Sequence, residues 1–274
     1  MSMQLEPTGE RMIEASYLES RSAYAIYVLH VASYEFARSM CRNQRVLDLG
    51  CGTGYGAAKL ASAASSVVGV DVSPDAIAFA KEAYAPSGVD FRVIDPNEAL
   101  PFADGSFDVV LSFQVIEHVV DDRNYIAEAN RVLSKGGVFV VITPDRASRL
   151  LPFQKPWNRW HLREYSMAQL RRLVETSFRV ESALRMGAPD EIASIELNRY
   201  RWTKWLTLPF TFPGIPELCR RLGLDFLHAF RPRRRPADAR AVTQKPDFGF
   251  DEGAIIFSSD APNSLNLVIV ARAD

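Results

Sequence analysis

The sequence predicts an α/β fold, a Rossmann-like doubly wound sheet of seven strands with an N-terminal helical lid and a C-terminal insertion. Three observations carry this expectation. Between residues 44 and 144, short β-branched apolar runs alternate with stretches patterned as helices. The first run ends in a turn almost bare of side chains, "VLDLGCGTGYG", with glycines at 50, 52, 54 and 56. An acid, Asp71, closes the next run, 21 residues after Gly50.

Each element has its own reason. Residues 1–43 read as one or two helices, because Tyr24, Tyr27, Val28, Val31, Tyr34 and Phe36 crowd together there. They form either a helix packed on the sheet or a lid over a ligand. The strand runs are 45–49, 67–70, 91–94, 108–113 and 138–142. None alternates with polar residues, as expected of strands buried on both faces. Ser73-Pro74-Asp75 offers an N-cap followed by proline at the first helical position. Asp121 and Asp122 precede an apolar face of Tyr125, Ile126, Ala129, Val132 and Leu133, and Lys135-Gly136-Gly137 is expected to stop that helix. Ser166 and Gln169 have capping-box spacing. Residues 178–186 and 265–271 supply two more strands. The core is therefore 44–187 with 264–274. Residues 188–263, rich in Pro, Trp, Phe and Arg, form an insertion too long for a plain loop, read as a substrate cap or contact surface.

Composition narrows the classes. The 274 residues are 47% hydrophobic and 24% charged, with a formal net charge of −1, so no global field favours nucleic acid. Three cysteines without CxxC spacing argue against structural zinc or a disulfide framework, and fit a reducing cytoplasm. Residues 1–11 lack the apolar core of a signal peptide. The longest apolar candidate, 205–215, is broken by Pro209 and Pro213 and is too short to span a bilayer.

The glycine turn points to a ligand. Glycines allow positive φ and close backbone approach, and the helix starting near Tyr55 offers free N–H groups. The spacing here is G-x-G-x-G, with Tyr55 where a dinucleotide fingerprint wants its third glycine, which disfavours a nicotinamide dehydrogenase. An acid at Asp48, beside the turn, suits a ligand with an ammonium group better than a pyrophosphate. Asp71 stands where an acid binds ribose hydroxyls.

These residues resemble motif I of the class I S-adenosylmethionine-dependent methyltransferases, and the likeness continues through most of residues 44–144. "VVGVDVS" is similar to the family's second strand, and "FRVIDPNEALPFADGSFDVVLSFQVIEHVVD" to its third and fourth in the small-molecule branch. The resemblance implies S-adenosylmethionine as cofactor, held by Asp48, Gly50, Cys51, Gly52, Gly54 and Tyr55. Asp71 and Val72 would lie at the ribose, Asp95 and Pro96 at the adenine, and Phe113 and Gln114 at the methionine end. The flanks "TGERMIEASY" and "TPDRASRLLPFQKPWNRWHLREYSMAQLRRLVETSF" resemble bacterial methyltransferases that modify sugars and polysaccharides, with Asp145 where that group carries Asn.

The family reaction is an in-line methyl transfer, for which the protein mainly supplies proximity and alignment. A hydroxyl acceptor must also lose a proton, and histidine suits that task near neutral pH. Of His30, His118, His161 and His228, the candidates are His118, after the fourth strand, and His161, where the acceptor should enter beside Trp157 and Trp160. Each also has a structural reading, as a satisfied core histidine. No metal is expected, since Asp121-Asp122 reads as a helix cap. Ser112-Phe113-Gln114-Val115 lacks the Asn/Asp-Pro-Pro-aromatic motif of amino-group methylation on nucleobases or glutamine, which favours oxygen on a glycan or small molecule. Methylation of a quinone or lipid precursor is the alternative, and a non-catalytic cofactor-binding module the rival from another class. The insertion contains "CRRLGLDFLHAFRPRRRPADAR", with seven arginines against two aspartates. Beside Trp and Phe, that run is read as a solvated arm or as peripheral contact with an anionic membrane.

Overall fold

The computed structural model describes residues 4–5, 13–229, 237–238 and 247–274. Along the chain the elements are α1 (Glu14–Tyr17), α2 (Arg21–Arg38), β1 (Arg45–Leu49), α3 (Tyr55–Leu60), β2 (Ser66–Asp71), α4 (Pro74–Ala83), β3 (Asp90–Val93), β4 (Phe107–Phe113) and α5 (Asp122–Val132). There follow β5 (Leu133–Pro144), α6 (Arg146–Arg149), α7 (Met167–Val174), β6 (Arg179–Gly187), α8 (Asp190–Thr211), α9 (Glu217–Ala229), β7 (Ile256–Ser258) and β8 (Asn266–Arg272). A separate two-residue pairing joins Gln4–Leu5 to Ala237–Asp238.

The sheet has eight strands in the order β3-β2-β1-β4-β5-β8-β6-β7. The first five run parallel. β8 is antiparallel to both neighbours, and β7 is antiparallel to β6. Successive residues of each inner strand go to opposite apolar layers. Val46, Val109, Leu111, Val138, Val140 and Ile142 pack with α2, α3 and α4. Leu47, Val110, Phe139 and Val141 pack with α5 and α7. Burial on both sides is why these strands read as unbroken apolar runs rather than as alternation.

Most helix signals act as the sequence implies. Ser73 accepts from Ala76 N at the start of α4, and Asp121 accepts from Asn124 N at the start of α5. Both bonds of the Ser166/Gln169 capping box are present. Two expectations need correction. The helix meant to stop at Lys135-Gly136-Gly137 ends at Val132. β5 begins one residue later, and Gly136, at φ 74, lies inside it near an irregularity in its pairing with β4. The sheet has an eighth strand, β7, inside the stretch assigned to the insertion. With only three residues, it carries too little pattern to be read. Among its described residues that stretch also holds the helical hairpin α8–α9.

α2 is packed firmly on the sheet. Tyr24, Tyr27, Val28, Val31 and Tyr34 are all buried within the layer above β1 and β4. Parts of the terminal-helix and basic-run readings, residues 1–3, 6–12, 230–236 and 239–246, lie outside the described residues.

Candidate active site

β1 and β4 are neighbours from whose carboxyl ends the chain departs to opposite sides of the sheet, the place where open α/β sheets take ligands. There β1 gives way to the glycine turn. Gly50 N and Cys51 N donate to Val70 O at 2.8 and 2.9 Å, which ties the turn to the end of β2. Gly52 has φ 54, and a Cβ there would meet nothing within 4 Å, so the backbone borders open space. Gly50 is glycine for a second reason: a Cβ would stand 2.3 Å from Val115 Cγ2. That contact presses the segment after β4 against the turn.

Asp71 is held by the turn it faces. Its Oδ2 accepts from Gly52 N at 3.0 Å and its Oδ1 from Ser73 N at 2.9 Å. Val72 beside it is 53% exposed, an apolar surface at a strand end. Ile94 N donates to Asp71 O at 3.1 Å, bringing the turn after β3 alongside. In that turn Asp95 Oδ1 accepts from Asn97 N at 2.8 Å, and both Asp95 and Pro96 are exposed. Gln114, at φ 59, donates its backbone N–H to Ile142 O at 2.8 Å and its side-chain amide to Asn266 Oδ1 at 3.3 Å.

Asp48 lies beneath the turn, fully buried. Its Oδ2 accepts from Tyr34 OH at 3.0 Å, while Oδ1 has no partner. Burial pushes its carboxyl up to about 7, with the Tyr34 bond opposing and the charge of Asp71 adding to the rise. An orphaned carboxylate oxygen under a glycine turn suits a cationic donor from a ligand. Tyr34 reaches Asp48 because Gly56 lets it pass: a Cβ on Gly56 would stand 1.9 Å from the Tyr34 ring. The rings of Tyr55 and Phe113 pack edge-on to Tyr34 at 5.6 and 5.0 Å. Cys51, Tyr55 and Phe113 thus give their side chains to the core, and only their backbones are left to border the turn.

The second half of the site is a polar knot between β4, β5 and the loop before α7. Thr143 Oγ1 donates to Glu117 Oε2 at 2.8 Å, and Glu117 Oε1 is buried without a hydrogen-bond partner. Leu162 N donates to Glu117 O at 2.9 Å, which pins the incoming loop. His118 and His161 meet edge-on, with ring centroids 4.9 Å apart. His118 Nδ1 lies 3.1 Å from Trp160 O, and His161 Nδ1 lies 2.9 Å from Glu164 Oε1. Arg149 Nε donates to the same Glu164 oxygen at 3.0 Å, and its guanidinium stacks over Trp157 and Tyr200. Burial works to raise the Glu164 carboxyl, but Arg149 and His161 hold it below the usual carboxylate range.

The structure therefore brings His118 and His161 together, as two sequence-distant candidates at one end of the sheet. It differs between them: His161 is 4% exposed, whereas His118 is half-buried. His30 sits on α2 against Tyr55, at 6.5 Å between centroids, and the side chain of His228 lies outside the described residues. Sequence reading left out Arg149, and it placed Tyr34 in a helix either packed on the sheet or capping a ligand, without its bond to Asp48. Arg149 carries no motif, and its partner Glu164 is fifteen residues away. Donor atoms of Glu117, His118 and His161 lie within 4.8 Å of one another, a set able to hold a divalent cation, where no metal was expected. A cavity of about 680 Å³ lined by Tyr24, Ile192 and Phe250 lies against α2 and the start of α8, away from this chemistry.

Comparison with known proteins agrees with the geometry. Residues 47–141 match the family model "Methyltransferase domain". A Mycolicibacterium smegmatis protein named "Probable S-adenosylmethionine-dependent methyltransferase" is 39% identical over 278 residues, covering 96% of this chain and 93% of its own. A "Ubiquinone biosynthesis O-methyltransferase" of Cereibacter sphaeroides is 34% identical over 127 residues, 44% of this chain and 51% of its own. Among solved structures, a Mesorhizobium loti S-adenosylmethionine-dependent methyltransferase shares the fold at TM-score 0.53 and 18% identity, covering 88% of this chain and 97% of that one. The chain belongs to the class I S-adenosylmethionine-dependent methyltransferases.

Proposed function

We propose that this methyltransferase acts on a hydroxyl oxygen of a glycan or other small metabolite, with the histidine pair handling the proton. The observation that carries the reading is the way both rings are held. His118 Nδ1 lies 3.1 Å from Trp160 O, a contact that suits the tautomer whose lone pair is on Nε2, the nitrogen a general base uses. His161, locked by Glu164, packs edge-on and positions that ring. Bound S-adenosylmethionine would supply an electrophilic methyl group on a sulfonium, with a neutral thioether as its leaving group. His118 Nε2 would take the proton of the acceptor hydroxyl as the methyl group is transferred, and the site would hold the two in line.

In the same reading Asp71 and Val72 would hold the ribose, and Asp95 and Pro96 would hold the adenine. The backbone of residues 50–55 borders the cofactor, the Phe113-Gln114 turn lines its methionine end, and Asp48 Oδ1 answers its ammonium group. The lack of an Asn/Asp-Pro-Pro-aromatic stretch at Ser112-Phe113-Gln114-Val115 supports oxygen as the acceptor atom.

A second reading, a quinone precursor, draws on the names of the ubiquinone and menaquinone relatives. Transfer of labelled methyl to two panels separates them: nucleotide sugars and lipid-linked glycans in one, polyprenylated phenols in the other. Label in the first panel supports the glycan reading. Label only in the second replaces it. For the base, His118→Gln should lower kcat by about 10²-fold or more while leaving cofactor affinity intact. Unchanged turnover would take His118 out of the proton transfer.

A further inference from the structure

α8 wears its amphipathicity inside out. Past its first turns, the side chains it buries against the protein include Glu196, Thr203, Thr207 and Thr211. The Gln154 amide bonds that inner face, donating to Lys204 O at 2.8 Å and Thr211 Oγ1 at 2.8 Å. The outer face shows Trp202, Trp205 and Leu206, exposed by 73, 57 and 66% and spaced i, i+3, i+4. α9 repeats the pattern with Leu218, Leu222 and Phe226, spaced i, i+4, i+8 and exposed by 69, 61 and 62%. A helix that only serves a water-facing fold carries these residues on its inner side.

The exposure belongs to a firmly built element. Gly223 of α9 admits the Phe210 ring of α8, and a Cβ there would stand 2.2 Å from it. Arg220 Nη1 donates to Pro156 O at 2.8 Å, and Arg159 pairs with Asp225 at 2.8 Å. The hairpin thus grips the loop that leads directly into His161.

Charge says what covers the apolar stripes. Beside the α8 stripe stand the cations Arg201 and Lys204, while Arg199 is paired with Glu196. An isologous contact with a second copy would set these cations against their own kind. An anionic surface with an apolar layer beneath answers both the charge and the tryptophans. We propose that the α8–α9 hairpin docks the enzyme on an anionic lipid surface, with Trp202, Trp205 and Leu206 entering the headgroup boundary and Arg201 and Lys204 meeting the headgroups. This inference does not depend on the identity of the acceptor.

The test is co-sedimentation of the full chain with two kinds of vesicle, one of phosphatidylglycerol and phosphatidylcholine in equal parts, the other of phosphatidylcholine alone. Sedimentation velocity without lipid reports the oligomeric state. Expected are a monomer, partition onto the anionic vesicles that weakens with salt, and a loss of about fivefold in partition for each cation removed in Arg201→Gln and Lys204→Gln. The triple variant Trp202→Ser, Trp205→Ser, Leu206→Ser should lose partition at least as steeply, with unchanged circular dichroism and cofactor binding. No partition onto anionic vesicles, equal partition onto neutral ones, or full partition by the triple variant would overturn the proposal. So would a stable dimer that the triple variant dissociates.

Discussion

Replacing Asp48 with asparagine isolates the most unusual ionisation in the site. The buried carboxyl is raised from 3.8 to about 7, first by burial. A group whose folded pKa lies above its unfolded one stabilises the fold fully below the unfolded value, and that contribution is lost as pH rises through the folded value. Without cofactor, the wild type should therefore lose stability between about pH 4 and pH 7 relative to Asp48→Asn, and then run parallel to it. At ~1.4 kcal/mol per unit, a rise of about three units gives a gap of about 4 kcal/mol above pH 7, an upper bound. Asparagine can still accept the Tyr34 hydroxyl, so little of the gap comes from that bond. In thermal unfolding it corresponds to a variant melting higher by roughly 8–16 °C at pH 8 and by little at pH 4. With cofactor the order should reverse, because the ammonium group favours the ionised acid that asparagine cannot supply. Calorimetric titration of the wild type near pH 6.5 in buffers of different ionisation enthalpy should show proton release on binding. Equal pH dependence of wild type and variant, together with equal cofactor affinity, would refute the placement of a charge-starved acid under the turn.

Asp71→Ala should weaken S-adenosylmethionine binding at least tenfold by titration calorimetry, and unchanged affinity would move the ribose elsewhere. His161→Ala should cut turnover by an order of magnitude or more while leaving cofactor affinity intact, because it packs against His118, the base of the proposed reaction. Gly56→Ala should destabilise the fold by about 1–3 kcal/mol in denaturant titration, since the new methyl group meets the Tyr34 ring, and the loss should shrink in a Tyr34→Ala background. Excess EDTA should leave turnover unchanged, and a loss restored by a divalent cation would assign Glu117, His118 and His161 to a metal.

The parallel half of the sheet was legible because its strands are buried on both faces and its connections carry local signals. The run of Arg45–Leu49, the Ser73 cap and the Ser166/Gln169 box depend on residues within a few positions of each other. The glycine turn was legible for the same reason: positive φ at Gly52 is a property of one residue. Other features are products of contact across the chain. That Gly56 is a slot for Tyr34, and that Asp48 is left with one orphaned oxygen, follows from α2 lying across the turn. The Arg149–Glu164–His161–His118 chain joins side chains from separate segments, and neither spacing nor composition announces it. The hairpin escaped the periodic signal because the inner face of α8 mixes Glu196, Thr203, Thr207 and Thr211 with Ile192, Ala193 and Tyr200, while Trp202, Trp205 and Leu206 face out. Sequence by itself determined the fold class and the cofactor, since both rest on local conformational demands. Only the tertiary structure decided which acids are charged, which histidine is reachable and which apolar residues are left facing out, because those depend on what each group is packed against.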